Sequence, residues 1–158
     1  MTGEGELSEI VIRQATSADV EDVSAIIIRA VHETNAQDYA SEIIEFIIAH
    51  FSPANIAARM ANRLMLVATI DDEIIGTASL HKDTVRNVYI RPNHQGRGIG
   101  AALMQEIEEQ ARANGLETMA VPSSVTAEGF YRKRGFVPVR DQFYGAVRTV
   151  LMAKVLGL

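Results

Sequence analysis

The chain has no cysteine. That absence excludes disulfide frameworks, thiolate metal sites and cysteine nucleophiles together. It also lacks any apolar run approaching the length of a membrane span. No internal repeat, low-complexity tract or Pro/Gly/Ser-rich linker divides its 158 residues, so a single domain over 1–158 is expected. Met1 to Ile10 is acidic and lacks the apolar centre of a signal peptide; with no cysteine beside it, that pattern leads us to expect a cytoplasmic protein. Positive charge is scarce as well. Lys and Arg number 15 against 20 Asp and Glu, and a net charge of −5 argues against a general duplex-DNA binder. His32, His50 and His94 show no metal-ligand spacing, and no metal is expected.

What is present is an ordinary globular composition, 47% apolar and 22% charged. The charge is unevenly spread. Residues 1–80 hold 4 Lys/Arg against 13 Asp/Glu, a balance of −9, whereas residues 81–140 hold 9 against 6, a balance of +3. An acidic first half beside a mildly basic middle suggests two kinds of partner, the second anionic; on charge alone, a solvated surface of uneven composition is the better reading.

Hydrophobic spacing sets the expected elements. Glu9 to Gln14 alternates as a strand, and Thr16 with Asp19 reads as a capping box opening a helix that ends near Thr34–Asn35. A second helix is expected over Ser41–His50, and Ser52-Pro53 opens a short third. The period then changes. Leu64–Ile70 and Ile74–Leu80 form a hairpin about Asp71-Asp72-Glu73, and Val85–Ile90 is a further strand. An amphipathic helix over Ile99–Ala113 stops at Asn114-Gly115. A strand over Thr118–Val121, a helix over Thr126–Arg134, and strands over Phe136–Val139 and Val147–Val155 complete a mixed α/β pattern, a mostly antiparallel sheet with helices on both faces.

Between the Val88–Ile90 strand end and Leu103, glycines at 96, 98 and 100 lead into a helix with no capping side chain. Glycine lets backbone approach a ligand closely, and N–H groups at a helix N-terminus converge where the dipole favours negative charge. Gln95 and Arg97 can add side-chain donors. The stretch is thus a phosphate cradle. A P-loop would need Lys-Ser/Thr after its last glycine, where Ala101-Ala102 stands. A dinucleotide fingerprint is formally matched by Gly96-x-Gly98-x-x-Ala101, but Arg91 to Gln95 separate strand from glycine, where that fold turns at once.

The chain resembles the GNAT superfamily of acetyl-CoA-dependent N-acetyltransferases. Gln95, Gly98 and Gly100 meet that family's Q/R-x-x-G-x-G/A signature after a strand ending Val88-Tyr-Ile-Arg-Pro92. Ser124-x-x-Ala127-x-x-Phe130-Tyr131-x-x-x-Gly135-Phe136 is similar to its second block, with Ser124 where members often carry Asn. The resemblance implies direct acetyl transfer from acetyl-CoA to a primary amine. It implies that Val88, Tyr89 and Ile90 pair with the pantetheine arm, and that one N–H near that strand's end stabilises the oxyanion. It further implies that the N–H groups of Gln95, Gly96, Arg97, Gly98, Ile99, Gly100 and Ala101 hold the pyrophosphate. Ser124 would donate to the pantetheine or cap a helix. Tyr131 would protonate the departing thiolate, and Arg132, Lys133 and Arg134 would meet the nucleotide end or face solvent. Thr84 stands where histone-type members have a catalytic Glu, which leaves His81, Asp83 or water as the base. The acidic Asp38, Glu42 and Glu45 suggest a cationic or neutral acceptor, and a homodimer is expected from family habit. The alternative is a non-catalytic acyl-CoA-binding module.

Overall fold

The computed structural model describes residues 9–35, 40–144 and 147–157. Met1 to Ser8 and Asp38 lie outside them. Among the described residues, seven strands form one sheet in the order β1-β2-β3-β4-β5-β7-β6. They are β1 (Val11–Gln14), β2 (Leu64–Ile70), β3 (Glu73–His81), β4 (Thr84–Ile90), β5 (Thr118–Ser124), β6 (Val137–Tyr144) and β7 (Val147–Val155). Every neighbouring pair is antiparallel except β4 with β5. Asp71 and Asp72 both take positive φ, the two-residue turn that matches strand twist and closes the β2–β3 hairpin.

Helices α1 (Val20–Ala30), α2 (Ser41–His50) and α3 (Pro53–Met60) lie on one side, α1 crossing β3 and β4. Helix α4 (Ile99–Ala113) crosses the other, and α5 (Glu128–Lys133) follows β5. Two cores result. One packs Leu103, Met104 and Ile107 of α4 on Leu80, Val85, Met119 and Met152; the other packs α1 and Ile56 on Met65, Val67 and Ile74.

The expected elements are present, with local differences. Helix α1 starts after a 3-10 turn, Ser17–Asp19, where Asp19 accepts from the Thr16 N–H at 2.7 Å and from Arg13 at 2.8 and 2.9 Å. A π turn, Val31–Asn35, closes it. Helix α2 buries only Ile44, and Phe46 is 73% exposed. Strand β5 runs three residues past Val121, because its pairing with β7 continues through Pro122↔Leu151 to Ser124↔Thr149. Helix α5 begins at Glu128, two residues late.

Candidate active site

Strands β4 and β5 share one registered pair, Thr84↔Ala120, fastened by the Ala120 N–H donating to Asp83 O at 2.9 Å. Beyond it they part. Since the Ala120 N–H points at β4, alternation along β5 turns the backbone of Pro122 and Ser124 the same way. Pro122 has no N–H, so at that position the strand offers no donor on the side where β4 has left it, while the β7 ladder is untouched.

Strand β4 carries a bulge. Register moves from Thr77↔Tyr89 to Ser79↔Arg86, so Asn87 and Val88 oppose Ala78 alone, and Asn87 takes φ 56°. At the strand's end the Arg91 N–H donates to Ile75 O at 2.8 Å. Alternation back from that bond turns the Tyr89 backbone toward β3 and aims the Val88 and Ile90 backbone into the gap. Of the three residues expected to pair there, two have backbone groups facing it, while Tyr89 packs its ring edge-on to Phe51 at 6.3 Å.

The gap leads to the N-terminus of α4. Pro92–His94 forms a 3-10 turn, Gln95 is extended, and Gly96 and Gly98 both have φ 80°. Gly98 is the N-cap, and no side chain caps the helix. The first-turn N–H groups of Ile99, Gly100 and Ala101 therefore have no helical acceptor. A Cβ on Gly98 would meet open space, so that position is constrained by φ alone. Gly100 differs: a Cβ there would lie 3.2 Å from the Phe130 ring of α5. Ile99 points inward and is fully buried. Gly76 of β3 makes room beneath, since a Cβ on it would stand 2.8 Å from Ile90 Cδ1 and 3.2 Å from Ile99 Cγ2.

Tyr131 lies on α5, 6% exposed, edge-on to Phe130 at 5.1 Å and to Phe136 at 5.7 Å. Burial, and secondarily the Tyr89 phenol, push its own phenol well above the ordinary tyrosine range. Ser124 caps the approach to α5, its Oγ accepting the Ala127 N–H at 3.2 Å. Arg132 is tied to Glu128 on the solvent face. Lys133 and Arg134 instead line a groove of about 470 Å³ with Gly98, Ala101, Gln105, Glu108 and Lys154. Lys154 donates to Arg134 O at 2.6 Å and pairs with Glu108. Neither Lys154 nor Gly76 has a sequence signal, because each joins the site through sheet pairing alone.

His81 and Asp83 flank the turn before β4. The Asp83 carboxylate accepts from the Thr84 hydroxyl at 2.9 Å, and His81 Nδ1 is buried with no hydrogen-bond partner. Among the described residues no three metal-ligating side chains gather. No helix among them is long and apolar enough to cross a membrane.

Residues 35–156 match the family model described as the Acetyltransferase (GNAT) domain. The L-methionine sulfoximine/L-methionine sulfone acetyltransferase of Pseudomonas aeruginosa is 30% identical over 146 residues, covering 79% of this chain and 78% of its own. The crystal structure of a GCN5-related N-acetyltransferase from Rhodopseudomonas palustris superposes with a TM-score of 0.85 at 28% identity, over 94% of this chain and 96% of that one. PaiA N-acetyltransferase from Thermoplasma acidophilum, solved with coenzyme A, gives 0.81 at 22% identity, over 93% and 99%.

Proposed function

The chain belongs to the GNAT acetyltransferase family and is an acyltransferase with acetyl-CoA as cosubstrate, and from that premise we propose that it moves the acetyl group directly to a primary amine of a small molecule. The observation that carries this is the β4–β5 gap, which runs into an uncapped glycine-rich helix N-terminus beside buried Tyr131. The donors fit the cosubstrate's length and charge. Val88 and Ile90 offer strand-like pairing to a pantetheine amide, and the N–H groups of Ile99, Gly100 and Ala101 face its pyrophosphate. Gln95, Arg97 and the backbone of Gly96 and Gly98 lie along the same turn. Lys133 and Arg134, with Lys154 paired to Glu108, leave the adjoining groove net positive, the sign a nucleotide phosphate requires.

Attack by the amine forms a C–N bond on the acetyl carbon as the C–S bond breaks. A bulge N–H at Val88 stabilises the oxyanion, and Tyr131 protonates the thiolate. A phenol is protonated at neutral pH at its ordinary value, and burial shifts it further in the same direction. The amine's proton leaves through a water chain in the gap, since His81 and Asp83 stand at the opposite end of β4 from Val88, behind the Thr84↔Ala120 pair. With no cysteine in the chain, the acetyl group passes without a thioester on the protein.

The named acceptors of the Pseudomonas relative support a small-molecule acceptor. A single domain over 1–158 and a cytoplasmic site of action complete the reading. Exposed Val137, Val139 and Phe143 on the edge strand β6 support pairing of two chains there. Calorimetry with acetyl-CoA, followed by thiol release over an amine panel, tests the function. Binding with turnover of at least one amine is expected; tight binding with no turnover across the panel makes the chain an acyl-CoA-binding module.

A further inference from the structure

Three arginines stand together with no carboxylate paired to them among the described residues. Met65 of β2 pairs with Ser79, and Ser79 with Arg86 of β4, so these side chains share one face of the sheet. Met65 belongs to the core under α1 and α3, which fixes that face as the one opposite α4. Arg63, in the bend just before β2, lies close enough to Arg59 and Arg86 to feel the charge of both. Arg59, in the last turn of α3, holds its guanidinium 5.1 Å from the Phe51 ring, and Phe51 packs edge-on to Tyr89 of β4 at 6.3 Å.

No carboxylate among the described residues pairs with any of the three. Arg59 Nη1 is buried and has no hydrogen-bond partner, and Arg63 makes one long bond, 3.4 Å to Asn62 Oδ1. Burial pushes Arg59 below its ordinary value; burial, then Arg59 and Arg86, do the same to Arg63. Like charges held this close, one with an unsatisfied buried donor, are unfavourable unless something negative joins them.

The location says what joins them. Arg86 is the residue before the β4 bulge, beside the gap where the acetyl group would sit. On the same face the sheet continues through Ala120 and Pro122 of β5 to Ala153 and Leu151 of β7, small or apolar and only half-buried. The cradle at the α4 N-terminus lies on the other face, so the cosubstrate's phosphates are committed elsewhere. We propose that Arg59, Arg63 and Arg86 form an acceptor subsite for a carboxylate, with the acceptor's apolar part on Ala120, Pro122 and Ala153 and its amine at the β4–β5 gap. The assignment rests on the acetyltransferase reading and names its substrate class: small amino acids. It reverses the sign expected from the acidic N-terminal half. Of the acids behind that expectation, Glu42 and Glu45 are exposed on α2.

The test compares matched acceptors: a panel of L-amino acids, their carboxamides, and the corresponding amines without the carboxyl. In the wild type, kcat/KM for the acids should exceed that for the amides by about ten- to a hundred-fold, the worth of a charge-assisted hydrogen bond or two. Arg63→Gln/Arg86→Gln should erase the preference by raising the KM of the acids, with the KM for acetyl-CoA unchanged. Equal use of acid and amide, or a preference surviving in the double variant, overturns the subsite. Calorimetry of the CoA-saturated protein with N-acetyl amino acids and their amides reads the same contact without turnover. Binding of the acid alone supports the subsite even if no acceptor turns over, in which case the acetyltransferase reading fails by itself. Equal binding of both, or of neither, overturns the subsite.

Discussion

Tyr131 has two roles to separate: its ring packs edge-on against Phe130 and Phe136, and in the proposed mechanism its hydroxyl is the acid. Tyr131→Phe keeps the first and removes the second. We expect kcat to fall by roughly ten- to a thousand-fold with the KM for acetyl-CoA nearly constant, the pattern of a lost general acid; a pre-steady-state thiol-release assay separates chemistry from product release. Asp19 shows a different kind of constraint. Arg13, then the Thr16 N–H, hold its carboxyl at about 2, below the ordinary value near 4. Its contribution is therefore complete above pH about 4 and is lost as the pH falls through 2. Because Arg13 is 41% exposed, a discounted worth of about 1–2 kcal/mol is appropriate. Urea denaturation should show Asp19→Asn destabilised by that amount at pH 7 and the difference shrinking toward pH 2. The Thr16–Asp19 pairing was legible because four adjacent residues carry it; the Arg13 partnership was not, since it depends on where β1 places a side chain.

Among the elements, α4 was the most readable, because strand end, glycine turn and amphipathic stripe lie in one continuous stretch. The sequence treats Gly98 and Gly100 alike, whereas the structure separates them. Gly98→Ala forces a Cβ into the left-handed region, a strain of roughly 1–2 kcal/mol, and relaxing it reorients the first N–H groups of the helix. Calorimetry should show CoA affinity down by about ten-fold or more, while the melting temperature falls by about 2–8 °C, the size of the strain alone. Gly100→Ala pushes on Phe130 and through it on α5, so its melting temperature should fall together with its affinity. Strand β5 was read three residues short because proline usually ends a strand. Here Pro122 faces the gap, where a missing N–H has no ladder to break. The arginine subsite was invisible for a related reason: Arg59, Arg63 and Arg86 come from α3, a loop and β4, and charge summed along the chain hides charge gathered in space.

At the scale of the whole molecule, the sheet has a seam. Four strands lie on one side of Thr84↔Ala120 and three on the other, joined by a single registered pair and by α4 and α5 beneath. Amides of β4 and β5 that face the gap should exchange with deuterium early in the free protein, and the β5-β7-β6 block should exchange as a unit ahead of β2 and β3. Adding CoA should protect Val88, Ile90 and Ser124 together and close the difference between the blocks. Uniform exchange with and without CoA would show that the helices alone weld the halves. Mass action sets the size: at a hundred-fold excess over Kd the bound state gains about 2.7 kcal/mol. In the proposed complex the cosubstrate is thus also the missing rung of a ladder, and resistance to a protease should rise with the concentration of CoA or acetyl-CoA.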